Sequence, residues 1–158
     1  MIEDKLRENA ERFPDKIALI CGDEAYTYAQ LYKAVSVKAA SMENWQGRLV
    51  PLIATSTAEF LISYFAIHLA GAVAVPLHKD LPTRKFDDYS KLLEKGTVPK
   101  EVADILFTTG TTGNAKAVMI SHQTIFANAE NLVFAHQFSS DLTFIINGPL
   151  NHIGSLSK

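Results

Sequence analysis

The apolar positions of this chain change period repeatedly, and each change marks an element. Ile2, Leu6, Ala10 and Phe13 recur at helical spacing until Pro14 and Asp15 break the run. Residues 16–21 (KIALIC), the pair Gly22-Asp23 and residues 25–28 (AYTY) predict strand, turn and strand. Thr27 and Gln30 have capping-box spacing ahead of a helical face of Leu31, Val35 and Ala39. Residues 48–54 read as a strand. Pro51 lies inside it with no amide hydrogen to donate, which places that strand near a sheet edge. Ser56 and Glu59 repeat the capping-box spacing and open a helix that closes near Gly71. Residues 72–77 (AVAVPL) are the short unbroken apolar run of a strand buried on both faces.

Residues 78–101 are polar and charged. One helix is predicted there, over residues 83–95 with Gly96 beyond it, and the segment otherwise reads as a solvated connector. Residues 102–107 form the next strand, a loop rich in threonine and glycine follows, and residues 117–121 (AVMIS) form another strand. Ser121 then caps a helix whose apolar face carries Ile125, Ala129, Leu132 and His136. Residues 142–147 (LTFIIN) are expected as a last strand. Strands alternating with amphipathic helices predict an α/β layered fold with a mostly parallel sheet and flanking helices. No internal repeat, low-complexity tract or linker divides the chain.

Composition narrows the function. With 158 residues, 47% of them apolar, the chain can bury the core of one domain. A net charge of −2 supplies no basic field to draw nucleic acid, so no nucleic-acid partner is expected. The lone Cys21 rules out an internal disulfide and fits a reducing compartment, so a cytoplasmic protein is expected. The charged start lacks the apolar centre of a signal peptide. Residues 60–77 reach the lower limit of about 18 residues for a membrane span. His68, Gly71 and Pro76 interrupt them, however, and the stretch reads as buried helix, glycine stop and buried strand.

The loop is where chemistry concentrates. Between Thr108 and Lys116 stand Thr109, Gly110, Thr111, Thr112 and Gly113. The glycines allow close backbone approach, consecutive amides can form an anion-binding concavity, and the hydroxyls and Lys116 add donors and charge. Such a loop suits a polyphosphate. It is not a Walker loop, which has four residues between its glycines and runs into Lys-Ser/Thr at a helix start. Here two residues separate the glycines, Ala117 follows the lysine, and a strand is predicted next. On composition alone, a ligand-free Thr/Gly hairpin is the competing reading.

"TTGTTGNAK" resembles the phosphate loop of the AMP-forming ligases, commonly S/T-S/T-G-S/T-T-G-x-P-K-G. That superfamily holds acyl-CoA synthetases, adenylation domains of peptide synthetases and beetle luciferases. Ala115 stands in place of the usual proline and Ala117 in place of the usual glycine. "FPDKIALICGDEAYTYAQL", "FAIHLAGAVAVPL" and "GPLNHIGSL" are similar to further phrases of the family in the same order. The resemblance implies that residues 1–158 are the amino-terminal part of an AMP-binding domain. It implies phosphate binding by Thr108, Thr109, Gly110, Thr111, Thr112, Gly113 and Lys116, and a place for His152 beside the acyl and nucleotide pocket. The family's adenine-binding, ribose-binding and catalytic-lysine motifs match no positions here, so no catalytic residue is assigned and the chain alone is expected to be an inactive fragment.

The implied activity joins a carboxylic acid to AMP at the expense of ATP and passes the acyl group to coenzyme A or another thiol, with magnesium on the phosphates. Fatty, aromatic and amino acids all remain open as the acid. The alternative is a non-catalytic module that binds nucleotide or serves assembly. Apolar surface left exposed on a fragment would favour a homo-oligomer. Among the other candidates, His68 and His136 fall on apolar helical faces and read as core or boundary residues, while His78 and His122 read as surface residues. No histidine pair has metal-ligand spacing, and one cysteine cannot make a thiolate site, so no metal ligand is assigned. The Asp87-Asp88 pair reads as solvated, and no G-x-S-x-G supports a serine hydrolase.

Overall fold

The structure, a computed structural model, describes residues 1–82, 89, 93, 98–108 and 116–151. Helix α1 (Ile2–Arg12) leads into a hairpin of β1 (Ile17–Cys21) and β2 (Glu24–Thr27), and α2 (Tyr28–Ala40) follows at once. The predicted capping box is present. Thr27 accepts the Gln30 amide at 3.2 Å and Gln30 accepts the Thr27 amide at 2.9 Å. Strand β3 (Leu49–Ala54), helix α3 (Ala58–Leu69) and strand β4 (Val73–His78) then make a parallel crossover. Strands β5 (Val102–Phe107) and β6 (Ala117–Ser121) pair antiparallel, and α4 (His122–His136) starts directly after β6.

The larger sheet runs β3-β4-β5-β6, parallel through β5 and antiparallel at β6. Strand β3 is an edge of this sheet, as expected from Pro51, although a second proline, Pro76, is accommodated in the inner strand β4. Strand β4 lies inside and both its faces are covered. Ala74 belongs to a core shared with α1, α2 and α3, while Val73, Val75 and Leu77 point into a second core with Val102 and Ile105. Gly71, at φ +72°, stops α3 as expected. Its amide donates to the His68 carbonyl and that of Ala72 to the Ile67 carbonyl, the double closure that favours a left-handed residue.

Five expectations need correction. His136, expected at a core or boundary position, is exposed. The cap of α3 is Thr57, not Ser56: the Thr57 hydroxyl accepts the Phe60 amide at 3.2 Å, and Glu59 turns away to pair with Lys38 of α2. The connector is more than a solvated link. Of the helix expected over 83–95 only Tyr89 and Leu93 lie within the described residues, and both cover the second core. Leu93 is buried, and the Tyr89 ring stacks on Phe107 with centroids 4.2 Å apart. His122 is not a surface residue, because its ring is half-buried against His68. Finally, residues 142–147 form no strand. A strand needs a neighbour to take its backbone groups, and neither β3 nor β6 offers its edge to this segment. Its apolar side chains stay in solvent, with Ile145 88% exposed.

The stretch that approached the length of a membrane span resolves into α3, the glycine stop and β4. Among the described residues no helix is long and apolar enough to cross a membrane.

Candidate functional site

Strands β3, β4 and β5 run in the same direction, so Ala54, His78 and Phe107 end at one edge of the sheet. In open α/β sheets that carboxyl edge is where ligands bind. Two features meet it here: the threonine loop leaves β5, and a cavity opens beyond β3 and β4.

The loop is closed at its base. The Thr108 amide donates to the Lys116 carbonyl at 2.9 Å, and the Lys116 amide donates to the Thr108 hydroxyl at 3.3 Å. These bonds continue the β5–β6 ladder one step beyond Phe107 and Ala117. They consume the Thr108 amide and one lone pair of its hydroxyl, and the hydroxyl proton has no acceptor among the described residues. Lys116 is exposed. A strand follows the loop, as expected, so no helix N-terminus faces any anion held here. Thr109, Gly110, Thr111, Thr112 and Gly113 lie outside the described residues, as does His152.

The cavity, about 210 Å³, is lined by Ala54, Ser56, His78 and Lys79 on one side and by residues 147–151 on the other. Leu150 is buried in the first core and anchors the segment that leads to His152. His78 accepts the Asp80 amide on Nδ1 at 3.1 Å, which leaves Nε2 available. The cavity mouth therefore combines an imidazole, an ammonium group and amides, a set suited to polar or anionic atoms. Sequence reasoning assigned none of these cavity residues. The available signal was their place at the end of a strand buried on both faces. Among the described residues no group of three or more His, Cys, Asp or Glu could hold a metal.

A layered, mostly parallel sheet with flanking helices, its β5–β6 connection rich in threonine and glycine, defines an open-sheet α/β protein. The chain belongs to the AMP-binding enzyme family, whose model matches residues 6–94 and 86–157. Among curated proteins it is similar to the nonribosomal peptide synthetase tcpP of Claviceps purpurea, 26% identical over 171 residues. That match takes in 78% of this chain and 8% of that protein. Among solved structures it is similar to the N-terminal subdomain of Klebsiella oxytoca NpsA in complex with 3-hydroxybenzoyl-AMSN. There the TM-score is 0.85 at 24% identity, over 99% of this chain and 49% of that one. It is also similar to o-succinylbenzoate CoA synthetase from Bacillus subtilis in complex with the acyl-adenylate OSB-AMP. The TM-score is 0.81 at 23% identity, over 96% of this chain and 51% of that one. At such identities the likeness establishes the fold. The chain spans about half the length of these two solved relatives.

Proposed function

We propose that the chain forms the amino-terminal part of the AMP-binding domain of an acid:thiol ligase. A carboxylate oxygen of the acid attacks the α-phosphorus of ATP, and the bond to pyrophosphate breaks. The thiol sulfur of coenzyme A, or of another acceptor, then attacks the acyl carbon and AMP leaves. The observation that carries this reading is the β5–β6 hairpin, closed between Thr108 and Lys116 at the carboxyl edge of the parallel strands. The Bacillus subtilis relative, solved with ATP and magnesium and with an acyl-adenylate, supports the same chemistry.

In this reading Thr108, Thr109, Gly110, Thr111, Thr112, Gly113 and Lys116 hold the β- and γ-phosphates. They steady the charge that builds on the departing pyrophosphate. In the same reading His152 contributes to the acyl and nucleotide pocket. Magnesium, in this reading, would be bound together with the nucleotide. It neutralises phosphate charge once bound.

Exchange of labelled pyrophosphate into ATP tests the reading on the protein translated from the whole reading frame, with fatty, aromatic and amino acids supplied in turn. Acid-dependent and magnesium-dependent exchange is expected there, and none from residues 1–158 alone. Lys116→Ala removes one charge-assisted contact to the leaving group, a loss of about 2–4 kcal/mol, or roughly 30- to 1,000-fold in rate. Thr112→Val costs less, since neighbouring hydroxyls and amides compensate. An undiminished rate in Lys116→Ala sinks the role given to the loop. A whole protein that exchanges with no acid leaves the alternative, a non-catalytic nucleotide-binding or assembly module.

A further inference from the structure

Behind the hairpin, buried ionisable side chains from four elements meet. Asp104 is fully buried in the middle of β5, between Ala74 of β4 and Ile120 of β6. Its Oδ2 accepts the Tyr64 hydroxyl at 2.8 Å, and His68 Nε2 lies 3.2 Å from its Oδ1, close enough for attraction but off hydrogen-bond alignment. Tyr64 and His68 are four residues apart on α3, so one face of that helix presents both. Their rings meet edge to face with centroids 4.5 Å apart. The His122 ring, at the first position of α4, stands edge-on to His68 at 5.6 Å, and its amide donates to the Glu101 carbonyl at 3.0 Å. Glu3 of α1 is buried too. Both its carboxyl oxygens, Nδ1 of His68 and Nδ1 of His122 have no hydrogen-bond partner among the described residues.

We propose that Asp104, Tyr64, His68 and His122 are positioning residues that clamp both stems of the threonine hairpin to α3, and that the clamp opens when His122 takes up a proton. Asp104 ties the outgoing stem, because it lies in β5, whose last residue, Phe107, leads directly into Thr108. His122 ties the returning stem, because it joins β6 to α4 without a linker. The consequence for phosphate binding rests on the ligase reading, but the clamp itself does not.

The electrostatics give the direction. Burial, then the neighbouring His68, pushes His122 below the ordinary histidine value of 6.5. The amino terminus acts the same way, while Glu3 and Asp104 oppose it without prevailing. Strand β6 carries no titratable side chain. Burial, with the Asp104 charge beside it and their hydrogen bond, raises Tyr64 well above its usual range, so the phenol remains a donor near neutrality. Below pH about 6.5 the unfolded chain therefore binds a proton at His122 that the folded chain resists. Stability contributed by the neutral ring is complete above that pH and falls as the pH drops through it. Local release of the ring and of the first turn of α4 lets the proton on without global unfolding.

Hydrogen exchange of the whole chain at about pH 7.5 and about pH 5.5, corrected for intrinsic rates and without nucleotide or acid, tests the clamp. Amides of β5 and β6 are expected to exchange at least about threefold faster at the lower pH, relative to those of β3 and β4. In His122→Gln, which cannot titrate, that difference disappears. Tyr64→Phe takes the donor from Asp104 and lowers β5 protection at both pH values. Acid acceleration spread evenly over β3 to β6, or persisting in His122→Gln, overturns the proposal. Should His122→Gln fail to fold, an NMR titration of the His122 ring in the unaltered chain decides. A midpoint below 6.5 supports the clamp, and one at or above it overturns the clamp. Because no nucleotide is present, failure here is separate from failure of the ligase reading.

Discussion

Helices α3 and α4 are both rich in apolar residues, and their fates are opposite. In α3, Ala58, Phe60, Ile62, Tyr64, Ala66, Ile67 and His68 are all buried, because the helix is enclosed by α1, α2, β3 and β4. In α4, three residues longer, Ile125 alone is buried, and Phe134 stands 87% exposed. Its neighbours are β5, β6 and α1, and they bury only Ile125, in its first turn. At the end of α4, His136 stacks on Phe138, which meets Phe144 edge to face. Apolar sequence thus becomes core only where another layer stands opposite. In this molecule one face of the sheet carries that layer and the far end of α4 does not.

Paired truncations should show the widest gap. Ile67→Ala empties space at a site that is 1% exposed and should lower unfolding free energy by about 2–5 kcal/mol in urea denaturation. Phe134→Ala, which removes a larger side chain from solvent, should change it by less than about 0.5 kcal/mol. Similar costs would break the comparison, since they would require Phe134 to pack on something as firmly as Ile67 does.

The next effect concerns association. Phe134, Leu142, Phe144 and Ile145 leave apolar surface exposed on the α4 side. Such surface favours contact with another copy. Light scattering should show concentration-dependent dimers or larger assemblies. Phe134→Glu combined with Ile145→Glu should weaken association roughly tenfold, with little change in stability. A clean monomer at millimolar concentration would mean that this face tolerates water as it stands.

The same contrast explains what could be read from sequence. Most local signals succeeded: the Thr27–Gln30 box, the glycine stop at Gly71 and the unbroken apolar run of β4 all act within a few residues, while the equally local Ser56–Glu59 box gave way to a Thr57 cap. Signals that depend on a distant partner failed. Residues 142–147 have strand composition, but pairing requires a neighbour that composition cannot supply. Tyr89 and Leu93 sit among charges, and only the sheet above them makes them core. Thr108 and Lys116 could be assigned to one loop because chain proximity places them there, and the structure joins their backbones. Asp104 was missed although a carboxylate inside the apolar run VADILF is a local anomaly. Its partners Tyr64 and His68 lie 40 and 36 positions earlier, beyond the reach of any periodicity.

Helix caps offer the finest test, since α3 and α4 are capped by the same chemistry in different surroundings. Thr57 accepts the Phe60 amide at 3.2 Å, and Ser121 accepts the Thr124 amide at 3.1 Å. Replacing either residue by alanine removes one such bond, worth about 0.5–2 kcal/mol to its helix. For α3 that loss should appear in full in the global unfolding free energy, because a helix enclosed on several sides cannot loosen alone. For α4 it should be absorbed locally. Ser121→Ala should raise exchange of the first-turn amides of α4 roughly fivefold, the factor that about 1 kcal/mol implies, and leave β4 protection unchanged. Equal global losses from Thr57→Ala and Ser121→Ala would show that α4 unfolds only with the core, and the division between the two regions would then be one of exposure alone, not of cooperativity.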